Sequence, residues 1–419
     1  MASRRIKRLT LAACILGSAS VFVDQTVVNV ALPSLRSDLD ASLADQQWIV
    51  AAYLLFLSSL VLVGGSLGDL YGRRLIFAIG IGGFGGASLV CAIAPSVGVL
   101  IVSRALQGVF GALLVPSSLA IITDVFGPSE RAAAIGSWTA WTAAATALGP
   151  PLGGLLVDAL SWRVIFALNV PLVLACLWLI VRAVPACPGP GGRRVDLAGA
   201  LLCAIGLGGP VYALIREPAA GWADPAVWVP LAGGMGALGA FLAYQRRARD
   251  PMLPLGIFGS RNFAVGNVTT LSVYAGLGSA SFFIAVFLQQ VGGYSAFAAG
   301  LALLPITLML IALSRRFGAL ATHVGPRALM AGGPLVAGAG LLLFERVDAR
   351  PDYATVVPAV LVFGLGLAMT VAPLTAAVLA GVEENRAGIA SGVNNAAARV
   401  AEMLGVAGIG VLVAAQFAG

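Results

Sequence analysis

The chain is short of charge. Lys, Arg, Asp and Glu make up 10% of its 419 residues, against about 25% in soluble domains, which excludes a water-soluble globule with a charged shell. Lysine occurs only at Lys7 and histidine only at His323. No lysine is therefore placed to hold phosphates in a P-loop or to form a Schiff base in a buried site. His323 falls in a predicted loop, so catalytic triads and histidine metal clusters have little material. The cysteines Cys14, Cys91, Cys176, Cys187 and Cys203 lie mostly within apolar runs without paired spacing. They read as small core residues, not as a disulfide or metal set. Two glycine patterns are decoys. Gly80, Gly82 and Gly85 match G-x-G-x-x-G but sit inside an apolar run, and Gly64, Ser66 and Gly68 match G-x-S-x-G with no base nearby. The chain shows no means of using ATP, no metal site and no cofactor motif, and it is not expected to be an enzyme.

Apolar sequence fills the space. Hydrophobic residues make up 59% of the chain, in recurring runs of about 18 residues or more, each long enough to cross a ~30 Å hydrocarbon core as a helix. Runs of this length, rich in Leu, Ala and Gly, favour helices over the shorter alternating strands of a barrel. The reading is an all-α polytopic membrane protein with thirteen spans: 10–31, 47–68, 75–95, 98–124, 132–158, 163–182, 195–215, 226–244, 263–289, 295–314, 326–344, 353–380 and 387–416. The basic start resembles a signal peptide, but the apolar run continues past Asp24 to Leu32, so a retained first helix is expected. With the N-terminus in the cytoplasm, eighteen of the 25 basic residues fall inside, among them Arg193, Arg194 and Arg386. Five, Arg36, Arg163, Arg216, Arg346 and Arg350, fall outside. That bias fits the positive-inside rule. The net charge of +7 thus reflects a multi-pass topology in the cell inner (plasma) membrane, not a nucleic-acid partner.

The chain also repeats itself. GSLGDLYGRR (65–74) aligns with GALATHVGPR (318–327), and RAAAIGS from Arg131 aligns with RAGIASG from Arg386, at offsets of 253 and 255. Two matches at nearly one offset indicate a duplicated unit of about six helices. Two extra helices, 195–215 and 226–244, separate the copies. The expected units are an N-terminal bundle at 1–185, the two central helices with linkers at 186–250, and a C-terminal bundle of about five helices at 251–419. The second copy stops one helix short of the first. Nothing in the sequence requires more than a monomer.

Charges inside the spans are few: Asp24, Arg104, Arg399 and Glu402. An ionisable residue at the bilayer centre costs about 2.5–3.5 kcal/mol on insertion scales, so each needs a partner or a role. Asp24, Gln25 and Asn29 share one sector of a helix, which should face a water-accessible interior. Arg104 and Gln107 form a second polar patch, and Arg399 and Glu402, three apart, can neutralise each other. Asp69 can pair with Arg73 and reach Asp124, a charge cluster that can latch one conformer and release in another. Gly65 and Gly72 permit a tight turn between close helices, and Arg74 follows as a loop anchor. Ala145, Gly149 and Gly153 recur every four residues, so a neighbouring helix can approach, and Pro150 and Pro151 should kink or open that helix.

These stretches resemble a known family. FVDQTVVNVALP (22–33) is similar to the first-helix motif of the fourteen-helix drug:proton antiporters of the major facilitator superfamily. GSLGDLYGRR resembles that superfamily's signature loop, RALQGVFGA (104–112) its fourth-helix motif, and WRVIFALNVP (162–171) a further family stretch. ALGPPLGG (147–154), which includes Gly154, resembles the fifth-helix antiporter motif, associated with export. The resemblance implies two helical bundles around a central cavity and proton-coupled export of small amphipathic or cationic compounds. It also implies that Asp24 is the main proton or cation site and that Arg104 is coupled to it. The alternatives are a proton-coupled importer or facilitator of a metabolite, and a non-transporting or truncated membrane protein.

Overall fold

A computed structural model describes residues 4–186, 195–348, 352–380, 382 and 387–417. Cys187, Arg193, Arg194, Arg350 and Arg386 lie outside the described residues. The first half is α1 (Arg4–Leu39), α2 (Leu43–Tyr71), α3 (Arg73–Ala92), α4 (Val97–Val125), α5 (Pro128–Ala159), α6 (Trp162–Ala167) and α7 (Asn169–Ala183). A hairpin follows, α8 (Leu197–Ala220) and α9 (Pro225–Gln245). The second half is α10 (Arg261–Gln290), α11 (Ala296–Val324), α12 (Pro326–Leu342), α13 (Tyr353–Ala380) and α14 (Ala387–Phe417). Counting Trp162–Ala183 as one, 13 helices among the described residues are long and apolar enough to cross a membrane.

Local chemistry explains the boundaries. α1 is longer than the expected 10–31 and ends at Asp40, whose φ of 51° is the left-handed conformation that Asp tolerates. α2 then begins with a capping box: Ser42 Oγ accepts from the Asp45 amide (3.1 Å), and Asp45 Oδ2 accepts from the Ser42 amide (2.9 Å). The single span expected at 163–182 is instead two helices that part at Leu168. Pro171 has no N–H to give the carbonyl of Ala167, so the ladder lapses there. The repeat is visible in the backbone. Gly72 and Gly325, aligned in the two copies, both join consecutive helices with positive φ, 96° and 82°, which a side chain would oppose.

α1 packs on α4, α5 and α7, and α2 on α3 and α4, within the first half; α10 packs on α13 and α14, and α13 on α11 and α12, in the second. The halves meet along a seam where α5 touches α11, α2 touches α14 and α1 touches α10. The α8–α9 hairpin lies against both α2 and α14. Polar contacts fasten the seam on the side away from the N-terminus. Asp158 accepts from the amides of Ala296 and Phe297 (3.0 and 2.8 Å), Gln47 donates to the Val406 carbonyl (3.0 Å), and Gln289 donates to the Val30 carbonyl (3.0 Å). Arg36 adds a 2.6 Å bond to Gln290. Nearer the N-terminal side, a narrow cleft of about 30 Å³ lies between α1, α2, α4 and α14.

Candidate functional site

The buried charge of α1 sits in a complete polar shell. Asp24 is 0% and Arg104 1% exposed. Arg104 Nη1 bonds Asp24 Oδ2 and also Gln107 Oε1 (2.7 Å), while its Nε donates to the Ile49 carbonyl (3.1 Å). The other carboxylate oxygen of Asp24 accepts from Gln107 Nε2 (3.1 Å) and Asn169 Nδ2 (3.0 Å). Ser88 Oγ accepts from Gln107 (2.7 Å) and Asn169 (3.3 Å). The Arg104 guanidinium lies 4.3 Å from the Tyr53 ring centre, and the Tyr53 hydroxyl donates to the Val21 carbonyl (3.0 Å). Five helices, α1, α2, α3, α4 and α7, thus share one charge pair. α4 reaches α2 closely enough because Gly108 has no side chain: a Cβ there would stand 3.1 Å from the Leu57 amide nitrogen. A buried pair of this kind is tolerated because its donors and acceptors are met; removing one partner costs about 3–5 kcal/mol.

The polar sector expected of Asp24, Gln25 and Asn29 divides between two places. Asp24 turns into the first half. Gln25, 100° further round the helix, faces the seam, where Nε2 donates to Glu402 Oε2 (2.5 Å) and Oε1 accepts from Arg399. Arg399 and Glu402 are 3.5 Å apart and share Gln25. Asn29, one turn beyond Gln25, is partly buried, and its Oδ1 is a buried atom without a hydrogen-bond partner among the described residues. Asp24 therefore has no water-accessible face here, while Arg399 of the Gln25–Arg399–Glu402 group lines the cleft.

On the N-terminal side of the bundle, where α2 and α4 end and α3 begins, the structure brings Asp69, Arg73 and Asp124 together. Arg73 Nη2 lies 3.1 Å from Asp69 Oδ1, its Nη1 bonds Asp124, and the same Nη1 donates to the Ala120 carbonyl (3.2 Å). Gly72 makes the turn between α2 and α3, Gly65 packs near Pro116 and Arg74 reaches the Val181 carbonyl at 3.5 Å. On α5 the small residues serve two neighbours. Gly149 and Gly153 lie against Thr26, Val27 and Val30 of α1, whereas Gly154 lies against Ala296 and Phe297 of α11. Pro150 touches Gly300 of α11 as well. The expected opening at Pro150 and Pro151 is absent: α5 runs on through both. Pro150 cannot serve the Thr146 carbonyl; Thr26 Oγ1 of α1 comes within 3.3 Å of it, its single proton shared with the nearer Val23 carbonyl at 3.1 Å.

Residues 14–406 match the family described as Major Facilitator Superfamily. The chain belongs to the major facilitator superfamily. It is 34% identical over 408 residues to the tetracenomycin C resistance and export protein of Streptomyces glaucescens, covering 97% of this chain and 76% of that protein. It is 39% identical over 393 residues to a puromycin resistance protein of Streptomyces alboniger, covering 92% and 78%. Among solved structures it resembles a POT peptide transporter with sulfate (TM-score 0.69, 17% identity, 97% and 93% covered). It also resembles a bacterial homologue of the lysosomal transporter Spinster (TM-score 0.65, 18% identity, 97% and 81% covered). The fold is thus the major facilitator fold.

In this member of the superfamily several polar groups at the site carry little sequence signal. Ser88, Tyr53 and Asn169 are single polar residues on three separate helices, and only the three-dimensional packing joins them to Asp24. Asn169 had the best cue, a lone amide in mid-span two residues before Pro171. The Gln25–Glu402 bond links positions 377 apart.

Proposed function

We propose that this protein is a proton-coupled exporter of small amphipathic compounds that works by alternating access at the seam. The observation that carries the reading is an acid–arginine pair inside each half, Asp24–Arg104 in one and Glu402–Arg399 in the other, with Arg399 lining the cleft between the halves. Ionisable pairs at this depth are costly and mark ion or substrate pathways. Relatives named for resistance and export support the direction, and so does the α5 motif.

In this reading the N-terminus is cytoplasmic, the membrane is the cell inner (plasma) membrane, and the protein acts as a monomer without enzyme activity. The far-side contacts then close the outer face, and the cleft loads from the cytoplasm. Residues 1–185 and 251–419 rock as two units, with 186–250 riding at the seam. Asp24 and Arg104 form the coupling centre. Gln107, Asn169 and Arg104 all donate to Asp24 and none takes a proton from it, so the shell suits a carboxylate. A proton reaches Asp24 when Arg104 withdraws, and neutralising the acid frees Arg104. Gln25 and Asn29, on the seam face of α1, carry that change to the second half. Gly65, Asp69, Gly72, Arg73, Arg74 and Asp124 form the inner latch, and Gly149, Pro150, Gly153 and Gly154 form the helix on which the outer seam closes.

The test is efflux from cells loaded with a panel of dyes and antibiotics, with and without a protonophore. Export that stops on adding the protonophore supports the reading. Export that persists without a proton gradient overturns it.

A further inference from the structure

The cleft has a charge of its own. Its walls are apolar at Val21, Leu57, Val61 and Val115, with Ser58 and Asn395 as neutral polar groups, and Arg399 is the charged side chain that lines it. Neither nearby carboxylate does so. Asp24 is enclosed in the first half, and Glu402 lies one turn deeper on α14, bonded to Gln25. The guanidinium of Arg399 is only lightly engaged: among described residues one nitrogen, Nη1, takes both Gln25 and Glu402, the latter at 3.5 Å. Its central carbon, Cζ, lies over the Phe22 ring, 5.4 Å from the ring centre, and Phe22 lines the same cleft. A planar guanidinium with free N–H groups suits bidentate binding of a carboxylate or similar oxyanion. The apolar walls suit a hydrocarbon body; the space between them in this conformer is about 30 Å³, so the halves must part to admit a ligand. A cation entering here would meet Arg399 before either acid.

Resting on the export reading above, we propose that the cleft selects amphipathic compounds bearing an acidic oxygen group, a carboxylate or an ionised phenol or enol, which pairs with Arg399 while its ring system lies along Phe22 and the apolar walls. Glu402 is then the internal competitor: it occupies Arg399 when the cleft is empty and yields it to the ligand. The compound leaves when Arg399 returns to Glu402.

The test is equilibrium dialysis of the purified full-length protein with three matched probes: anthracene-9-carboxylate, its neutral carboxamide and 9-anthrylmethylammonium. The wild-type protein should bind the acid about tenfold more tightly than the ammonium compound, as a charge-assisted hydrogen-bonded pair allows. Arg399→Gln should lose that preference and keep its affinity for the carboxamide, which shows that the cleft is intact. Arg399→Lys should keep part of the preference, and Glu402→Gln should tighten the acid several-fold by removing the competitor. Tighter binding of the ammonium probe by the wild type, or no binding of the acid, overturns the proposal. So does an Arg399→Gln variant that binds the acid as the wild type does. Strong acid binding without efflux of the acid from loaded cells would leave this selectivity standing and remove the export reading.

Discussion

Gly154→Ala isolates the outer seam, because this glycine alone of the α5 set faces the other half directly. A Cβ at residue 154 would lie 2.5 Å from both the Ala296 carbonyl carbon and Phe297 Cα, where ordinary contact begins near 3.4 Å. The obstacles are backbone atoms, so α11 must retreat by about 1 Å. Overpacking of this kind costs about 1–3 kcal/mol. That cost falls on the conformer in which α5 and α11 touch and not on one in which they are apart. The closed-to-open ratio should therefore drop by about 5- to 150-fold. Spin labels at Leu160 and Val291, both well exposed on the far side, report the separation by pulsed electron resonance in a cysteine-free background. The wild type should show mainly the short distance and Gly154→Ala mainly a longer one. Gly153→Ala is the control: its Cβ would meet Val27 and Val30 of α1, inside one half, so it should lower the melting temperature without moving the distance. An unchanged distance in Gly154→Ala, or equal shifts in both variants, would refute the reasoning.

Three further substitutions follow from the same geometry. Asp24→Asn leaves Arg104 buried without its counter-charge, so it should destabilise the protein by about 3–5 kcal/mol and abolish proton-driven efflux. Adding Arg104→Gln should restore much of the melting temperature but not transport, and full transport in the double variant would contradict the coupling role. Asp69→Asn removes one of the two carboxylates on Arg73 and should slow turnover while leaving equilibrium ligand binding nearly unchanged; a parallel loss of binding would show that the cleft itself had changed. Thr26→Val removes the hydroxyl within reach of both the Val23 and Thr146 carbonyls and should cost about 1–3 kcal/mol in thermal stability, with no loss if water replaces the hydroxyl.

The helices were legible because each apolar run had to satisfy its backbone internally over a fixed thickness, and the spans at 47–68 and 98–124 fall within α2 and α4. Asp24 and Arg104 stood out for the same reason: charges in apolar runs are conspicuous. Their adjacency was less plain, since 80 residues separate them. Periodicity placed Asp24, Gln25 and Asn29 on one arc but could not tell that the arc straddles a boundary, with Asp24 inside one half and Gln25 on the seam. Pro150 and Pro151 were read for the hydrogen bonds they remove. The hydroxyl that comes within reach of the freed Thr146 carbonyl is that of Thr26, on another helix, which no local rule supplies. Asp158 closes the span expected at 132–158, and its bonds to the α11 amides depend on how the halves meet.

The central claim is that a proton gradient alone drives amphipathic compounds outward through this chain. Purified protein in proteoliposomes, in the orientation with the N-terminus outside, should accumulate anthracene-9-carboxylate when the lumen is made acidic, and should release protons from the lumen as it does so. Asp24→Asn vesicles should do neither. Accumulation that ignores the imposed gradient, or equal accumulation by the Asp24→Asn protein, would contradict the account.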